Sequence, residues 1–387
     1  MRRIHDTIIA GLGAMGSSIA MHLARRGHDV VAFDRFRPPH AQGSSHGGSR
    51  IIREAYFEHP QYVPLVRRAY ALWAELEKDA GVELYRKTGG LMIGAADSAL
   101  VTGSIASARE HHLPFEVIDA QEIRRRFSAL HVPDAMVGVL EPRAGILFPE
   151  TCVGIQNAMA ARFGADLHFD EPISHWENEA MGVKVVTHRG EYRARKMIVA
   201  SGAWVAELMP SLARHFTVER QTLYWFAPAT APQSFTPERC PVHLWQFDGG
   251  EFFYGFPDMG DGIKVARHYG GAVTSAAGVD RTVSDQEVDD IRSLVRRFLP
   301  DADGKLLRRD VCLYTNTADQ HFWIDWVAQH DGNRRVLLVS PCSGHGFKFA
   351  SVIGEIAADM VIEGASRFDL SLFESRLEPG LKAANAT

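Results

Sequence analysis

A lone cysteine late in the chain and a glycine triplet near its start carry the most chemistry. The cysteine lies in Asp310-Val-Cys-Leu-Tyr-Thr-Asn-Thr317, and the glycines are Gly11-Leu-Gly13-Ala-Met-Gly16. The glycine set follows the apolar run Thr7-Ile-Ile-Ala10. It opens a run of helical spacing (Ile19, Ala20, Leu23, Ala24) that stops at Gly27, the strand–turn–helix context a dinucleotide signature requires. Glycines let the backbone approach a pyrophosphate, while the free N–H groups and partial positive charge of the helix N-terminus favour its oxygens. Asp29-Val-Val-Ala-Phe33 reads as a second strand ending in Asp34, at the separation expected of the carboxylate that accepts hydrogen bonds from a ribose. The four cysteines, Cys152, Cys240, Cys312 and Cys342, show neither Cys-x-x-Cys nor His-pair spacing. No metal site and no disulfide framework is expected, and by default each is a buried filler.

The elements that must position these residues come in two kinds. After Asp34 the chain departs from a nicotinamide-binding unit: instead of a crossover helix comes Arg37-Pro-Pro-His-Ala-Gln-Gly-Ser-Ser-His-Gly-Gly-Ser-Arg50, an irregular polar loop of the sort that wraps a ligand or lies on the surface. Tyr62 to Ala80 reads as a helix stopped by Gly81, and Gly89–Gly94 as a short strand. Phe115 to Phe148 is mixed and contains a helix-like Ala120–Phe127. A helical run from Pro149 through Ala161 leads to strands at Asp166–Phe169, Val183–Thr187 and Lys196–Ala200, the last ending in Ser201-Gly-Ala-Trp204. From Val218 to Val311 the chain is strand-rich, with Thr222–Ala227, Val242–Phe247, Glu251–Phe256 and Ile263–Ala266, the last two joined as a hairpin by Asp258-Met-Gly-Asp-Gly262. Arg335–Ser340 is a buried strand, Ser343-Gly-His-Gly346 a turn, and Phe347–Glu363 an amphipathic helix. The expected fold is therefore α/β. A discontinuous Rossmann-like nucleotide-binding domain (1–85, 145–217 and 312–387) carries an inserted, mainly antiparallel β-sheet substrate domain (86–144 and 218–311).

The composition narrows the function. A 387-residue chain that is 46% hydrophobic has ample material for two packed domains. The net charge of −5, with only short basic runs such as Arg124-Arg-Arg126, argues against a nucleic-acid partner. No apolar stretch approaches the roughly 18 residues of a membrane helix, and the N-terminus runs directly into the first strand, so a cytoplasmic protein without a membrane partner is expected.

An ordered set of motifs makes a resemblance specific. It comprises the glycines at 11–16, Asp34 with Pro38-Pro-His40, Gly43-Ser-Ser-His-Gly-Gly-Ser-Arg-Ile-Ile-Arg53, Tyr62-Val-Pro-Leu65 and Tyr254-Gly-Phe-Pro257. Lys264 with His268, Cys312-x-Tyr-Thr-x-Thr317 and Ser343-Gly-His-Gly-Phe-Lys-Phe349 complete it. Over nearly its full length the chain resembles the monomeric sarcosine oxidase and N-methyltryptophan oxidase family of FAD-dependent amine oxidases, with their D-amino acid oxidase-like fold. Two departures flank key residues: Ala318 stands where that family usually has proline, and Gly48-Ser49 where it has Asp-Thr.

The resemblance implies roles for individual residues. Cys312 looks like the thiolate that bonds to the flavin 8α-carbon, where an isolated cysteine would only fill space. Lys264, otherwise a solvated strand lysine, looks like the charge that assists reduction of O₂. Arg53 and Lys348 resemble the pair that holds a substrate carboxylate, since arginine offers two parallel hydrogen bonds and lysine a compact charge. Their ordinary readings are a surface ion pair and an exposed position in a helix's first turn. Arg50 resembles a residue lying against the flavin near Lys264, while His268, Tyr254 and Tyr314 would shape the pocket above the ring. For the cofactor the resemblance implies Gly11, Gly13, Ala14, Met15, Gly16, Asp34 and Arg35 at the nucleotide end. Ser44, Ser45, Pro172 and Gly202 would line the way, and Ser343, Gly344, Gly346 and Lys348 would face the flavin's N1 and C2 carbonyl edge, where a helix N-terminus stabilises negative charge.

The implied function is oxidation of a secondary amine attached to a carboxylate-bearing carbon, such as sarcosine or another N-substituted amino acid. The imine hydrolyses and O₂ is reduced to H₂O₂. The expected partners are a small amine and O₂, acting on a monomer. Three alternatives stay open: a flavin dehydrogenase that passes electrons to a partner protein, a non-catalytic nucleotide-binding protein, and a nicotinamide-dependent dehydrogenase, which the loop after Asp34 disfavours. Arg267 suggests a second substrate carboxylate, as in iminodiacetate, unless strand alternation turns it to solvent. Leu244-Trp-Gln-Phe247 would line a bulky pocket or form sheet core.

Overall fold

The computed structural model describes residues 3–330 and 333–374; the last residues of the expected nucleotide domain, 375–387, lie outside them. Strand Ile4–Ala10, helix Ala14–Arg25 and strand Val30–Phe33 form the opening βαβ unit. Residues 30–33 are buried throughout, as a parallel strand covered on both faces must be. The turn depends on its glycines. Gly11 has φ +99° with Ala200 O 2.5 Å from an added Cβ, and a Cβ on Gly16 would lie 1.7 Å from Gly11 O, so helix and strand can approach this closely only without side chains.

Around Ile4–Ala10 the first sheet runs in the order 175–179, 182–187, 190–199, 4–10, 30–33, 166–168. Asn333–Ser340 joins it parallel to 197–199, and Trp323–His330 pairs antiparallel with Asn333–Ser340. The second sheet has nine strands drawn from 90–141 and 217–316. Its pairs are antiparallel except for Val242–Phe247 beside Gly90–Ala95. Leu306–Asn316 lies against Thr217–Phe226 along its whole length. The expected α/β architecture, a Rossmann-like unit with a mainly antiparallel second sheet, is the one observed, although the first sheet is mixed, parallel around Ile4–Ala10 and antiparallel among 175–199 and at Trp323–His330.

Helix Tyr62–Ala80 ends at Gly81 in the left-handed conformation, φ +68°, and buries Val63, Leu65, Val66, Ala69, Leu72, Trp73 and Leu76. The hairpin at Asp258–Gly262 is closed by Asp258 Oδ1, which accepts from Gly260 N and Gly262 N at 2.8 and 2.9 Å.

Several elements depart from expectation. The stretch read as strand-rich contains helix Asp285–Phe298, started by a capping box between Ser284 and Glu287. Its face of Val288, Ile291, Leu294, Val295 and Phe298 covers the second sheet, with Phe298 stacked 4.6 Å from Trp245. Helix Ala99–Glu110 and strands His175–Glu179 and Trp323–His330 were also not anticipated. The segment expected as an amphipathic helix from Phe347 is a 3-10 turn, Phe347–Phe349, followed by helix Ala350–Ile362. That helix is buried from Ala350 to Ala358 on every side, because helices 14–25 and 62–80 both pack against it; a Cβ on Gly354 would meet Ser18 Oγ at 2.2 Å.

Candidate active site

One cavity of about 1900 Å³, including its open mouth, runs between the two sheets. At one end stand Gly11, Gly13, Ala14 and Met15, at the other Tyr254, His268, Tyr314 and Lys348, and Cys312 and Arg50 also form its wall. Asp34 is buried at the glycine end, where Oδ2 accepts from Leu12 N at 2.7 Å and Oδ1 from Phe36 N at 2.9 Å. Arg35 pairs with Glu207 at 2.6 Å and lies over Trp204. Pro172, Gly202, Ser44 and Ser45 complete this wall, with Ser45 Oγ accepting from the helix's first N–H, that of Ala14, at 3.2 Å. The loop 37–49 thus wraps the cavity.

The residues fit an elongated dinucleotide. The wall at the helix N-terminus is bare backbone that admits no Cβ at Gly11. Ser201 Oγ and Thr315 Oγ1, both on the cavity wall, are buried without a hydrogen-bond partner among the described residues. Buried polar atoms are seldom left unpaired, so a polar ligand along this wall accounts for them.

In the middle, Cys312 is buried with Arg50 Nη2 3.6 Å from its sulfur. Arg50 is fixed by the carbonyls of Ser44 and Ser49, each at 2.7 Å. Burial raises the Cys312 pKa, but His46, Arg50 and Lys264 outweigh it and bring the thiol down to about 7. Lys264 is buried but does not line the cavity. It sits behind the loop and donates to Gly47 O, Ser49 O and Ser49 Oγ at 2.7, 3.0 and 3.2 Å. A Cβ on Gly47 would lie 3.5 Å from Lys264 Nζ and 3.7 Å from Arg50 Nη1, so the two cationic heads flank this residue. Burial first, then Arg50, pushes Lys264 well below the usual lysine range.

At the far end Arg53 is buried, its Nη2 donating to both carboxylate oxygens of Glu58 at 2.8 Å and its Nη1 to Ala55 O. Its guanidinium lies over Tyr56, 4.3 Å from the ring centre. Glu58, which sequence reasoning missed, is held below its ordinary pKa: burial opposes ionisation, and Arg53, His345 and Lys348 override it. Lys348, expected in a helix's first turn, is instead buried in the preceding 3-10 turn; Nζ donates to His345 O at 2.8 Å and Tyr56 Oη at 3.3 Å. Burial and Arg53 press it down to about 7. His268 pairs with Tyr314 Oη at 3.0 Å, and burial lowers it to about 3, so it is neutral at physiological pH.

Most expected residues converge on this cavity, but Lys264, Gly16 and Ser343 do not line it. Gly16 serves helix packing. The Ser343 hydroxyl turns to Thr317, 3.3 Å away, holding the Gly344–Gly346 loop in place. A Cβ at Gly344, φ +76°, would come 2.6 Å from the Tyr314 ring. Arg267 is exposed and paired with Glu251, facing away from His268 as strand alternation dictates. In Leu244–Phe247 only Leu244 reaches the cavity, while Trp245 and Phe247 are sheet core. Ala318 lies in an exposed turn, and Ser49 occupies its departure from the family pattern as a Lys264 acceptor. Glu150, also missed, accepts from Gly47 N and Gly48 N and so fixes the loop carrying Arg50. Among the described residues no group of three or more His, Cys, Asp or Glu could hold a metal ion, and no helix is long and apolar enough to cross a membrane.

Comparison with known proteins agrees with this geometry. The sequence profile of the FAD dependent oxidoreductase family matches residues 6–360. The chain is 42% identical over 379 residues to a monomeric sarcosine oxidase of Streptomyces avermitilis, covering 97% of this chain and 98% of that protein. It is 34% identical over 377 residues to an N-methyl-L-tryptophan oxidase of Yersinia pestis, covering 95% and 98%. Among solved structures, the open form of NikD, an unusual amino acid oxidase essential for nikkomycin biosynthesis, shares the fold with a TM-score of 0.84 at 23% identity, covering 97% of this chain and 99% of that one.

Proposed function

The chain belongs to the family of FAD-dependent oxidoreductases, and from that premise we propose that it oxidises secondary amines bearing a carboxylate, with O₂ as acceptor. The observation that carries this reading is the buried Arg53–Glu58–Lys348 group in the cavity that also holds Cys312 and the glycine cradle. Two buried cations beside a neutral histidine suit an anionic group and a neutral amine. Sarcosine oxidases and N-methyl-L-tryptophan oxidase, by name, act on N-methylated amino acids.

When bound, FAD supplies the acceptor for a hydride equivalent from the substrate C–H and passes the electrons to O₂ as H₂O₂. The protein's share is binding and orientation. Asp34 would take the ribose hydroxyls, the glycine turn and the helix N-terminus would take the pyrophosphate, and the Gly344–Lys348 turn would hold the flavin end. Arg53 and Lys348 together would grip the substrate carboxylate and so orient the amine. His268, held neutral by burial, adds no charge to oppose a neutral amine. Tyr254, Tyr314 and Leu244 fill the walls and exclude water. Arg50 and Lys264, flanking Gly47, supply positive potential for the oxygen step. Cys312 is the covalent attachment point. We assign 1–85, 145–217 and 312–387 to cofactor binding, 86–144 and 218–311 to substrate binding, and a monomer in the cytoplasm as the working form.

Arg267 points outward, so a second carboxylate as in iminodiacetate meets no partner there. One observation favours a second reading, a dehydrogenase serving another acceptor: Lys264 is not on the cavity wall. Both are tested by measuring H₂O₂ release and dye reduction with N-methyl amino acids, cyclic imino acids, iminodiacetate and their neutral amides. Turnover confined to carboxylates with stoichiometric H₂O₂ is expected. Equal turnover of the amides would remove Arg53 and Lys348 from substrate binding, and dye reduction without H₂O₂ would establish the dehydrogenase.

A further inference from the structure

We propose that His345 and Tyr56 are positioning residues that aim the Lys348 ammonium at a ligand carboxylate, through a one-way hydrogen-bond chain that runs from the exposed turn at Gln320 into the cavity. This rests on the reading of Lys348 as part of the carboxylate grip and adds two residues to it. Every link is within hydrogen-bond range: His345 Nε2 is 3.0 Å from Gln320 O, His345 Nδ1 is 2.6 Å from Tyr56 Oη, and Lys348 Nζ is 3.3 Å from Tyr56 Oη. Tyr56, His345 and Lys348 are all buried, while Gln320 is exposed.

The direction of the chain is set at its outer end. A backbone carbonyl only accepts, so His345 Nε2 carries the ring hydrogen and a neutral imidazole presents a bare Nδ1. The ring is kept neutral because a third cation beside Arg53 and Lys348 would be buried with them. The Tyr56 hydroxyl has a single hydrogen. It goes to Nδ1, since its other acceptor, His345 O, is farther away at 3.3 Å. The phenol oxygen is thereby left to accept from Lys348. Without the imidazole, the hydroxyl hydrogen would be free to turn toward the ammonium and oppose it.

An ammonium carries three N–H groups at tetrahedral angles. Lys348 gives one to His345 O at 2.8 Å and one to Tyr56 Oη. With two directions fixed the third is fixed as well, and it is the one left for a ligand in the cavity that Lys348 lines with Arg53. His345 therefore holds the lysine twice, directly through its carbonyl and indirectly through its ring. The root of the side chain is pinned too, because Trp73 Nε1 donates to Lys348 O at 2.9 Å.

The two supports are themselves held. Phe322 stacks on the His345 ring at 4.9 Å, and Ser107 Oγ donates to Tyr56 O at 2.5 Å. Gln320 offers its carbonyl from the left-handed region, φ +60°, in a turn that Thr317 closes by donating to His321 O at 2.6 Å. Ala318, where the family pattern has proline, belongs to that turn. The departure thus lies at the outer end of the chain.

The test is titration of the flavin absorption of the holoenzyme with propionate and, as a neutral control, propionamide. Tyr56→Phe keeps the ring under Arg53 and removes only the hydroxyl; it should weaken propionate about tenfold or more and leave propionamide unchanged. In the Lys348→Met background the same change should cost nothing further. His345→Leu should match Tyr56→Phe, whereas His345→Asn, whose amide oxygen can take the place of Nδ1, should recover most of the affinity. Equal losses for both ligands, or a Tyr56→Phe loss that persists in Lys348→Met, overturn the positioning role. If Lys348→Met alone leaves propionate binding undiminished, the carboxylate reading fails and takes this proposal with it; if Lys348→Met weakens binding and Tyr56→Phe does not, only this proposal fails. Nitrogen NMR of protein labelled at histidine reads the chain without any ligand. His345, identified by its loss in His345→Asn, should show a protonated Nε2 and a bare Nδ1 whose signal moves in Tyr56→Phe, and a protonated Nδ1 would overturn the chain.

Discussion

Lys348 makes carboxylate binding a titration. In the free site it loses its proton near pH 7, because burial and the Arg53 charge oppose a second cation. A carboxylate ligand needs the ammonium, so binding takes up a proton above that pH. The sign follows: affinity is full below pH 7 and is lost as pH rises through it. With one proton coupled, affinity falls up to tenfold per unit, about fiftyfold between pH 7 and pH 9, since each unit corresponds to about 1.36 kcal/mol. Most neighbours do not mimic this. His268 and His345, lowered by burial to about 3 and about 4, stay neutral, and Glu58 stays charged. Glu141, raised by burial to about 7, gains negative charge over the same range, which steadies the proton on its cationic neighbours but repels an anionic ligand. The assay is titration of the flavin absorption spectrum with propionate, which carries no amine to confuse the result, in wild type and Lys348→Met. The variant should bind tens-fold more weakly or worse at pH 6, from a loss of about 2–5 kcal/mol, and its affinity should fall far less steeply with pH. A wild-type affinity flat from pH 6 to pH 9, or a fall equally steep in Lys348→Met, would refute the reasoning.

Cys312→Ser should bind FAD but release it to the supernatant on acid precipitation, whereas wild type retains it on the polypeptide. Lys264→Met should leave anaerobic reduction by substrate nearly intact and slow reoxidation by O₂ by several powers of ten, about 1.4 kcal/mol for each; stopped-flow absorbance separates the two steps, and unchanged reoxidation would dismiss the lysine. Arg53→Ala strands the buried Glu58 carboxylate and should cost about 3–5 kcal/mol of stability in denaturant unfolding, and Arg53→Ala/Glu58→Ala should recover much of that loss. If the double variant is no more stable than the single, the pair does not carry the cost.

Local patterns made the nucleotide half legible. Gly11 to Asp34 could be read because turn, helix and strand each leave a periodic trace, and helix 62–80 because Gly81 ends it in a conformation glycine favours. Helix Asp285–Phe298 also left its signal, the Ser284–Glu287 box and an apolar stripe, but the strands on either side hid it in a linear reading. The reverse error at Ala350–Ile362 came from expecting one wet face; two packed helices leave none. At the site, Arg53 and Lys348 could be marked by motif, but Glu58 could not, because a loop carboxylate has no period and declares itself only through its arginine partner. His46 and Asp310 are separated by most of the chain and meet only where the wrapping loop crosses the last strand of the second sheet.

That strand works as a ruler. Asp310, Cys312 and Tyr314 occupy alternate places on Leu306–Asn316, facing Leu223, Gln221 and Glu219 of the strand beside it. Their spacing is fixed by the pleat at about 7 Å from each to the next, whatever the surrounding side chains do. The sulfur and the tyrosine partner of His268 therefore cannot drift apart. Deleting one residue between Leu306 and Asp310 would not shorten the ruler but turn it over, sending all three side chains into the opposite face. Lineages seeking new substrates are thus free to rework Leu244 or Tyr254 on other strands of the same sheet, and are held to a fixed gauge along this one.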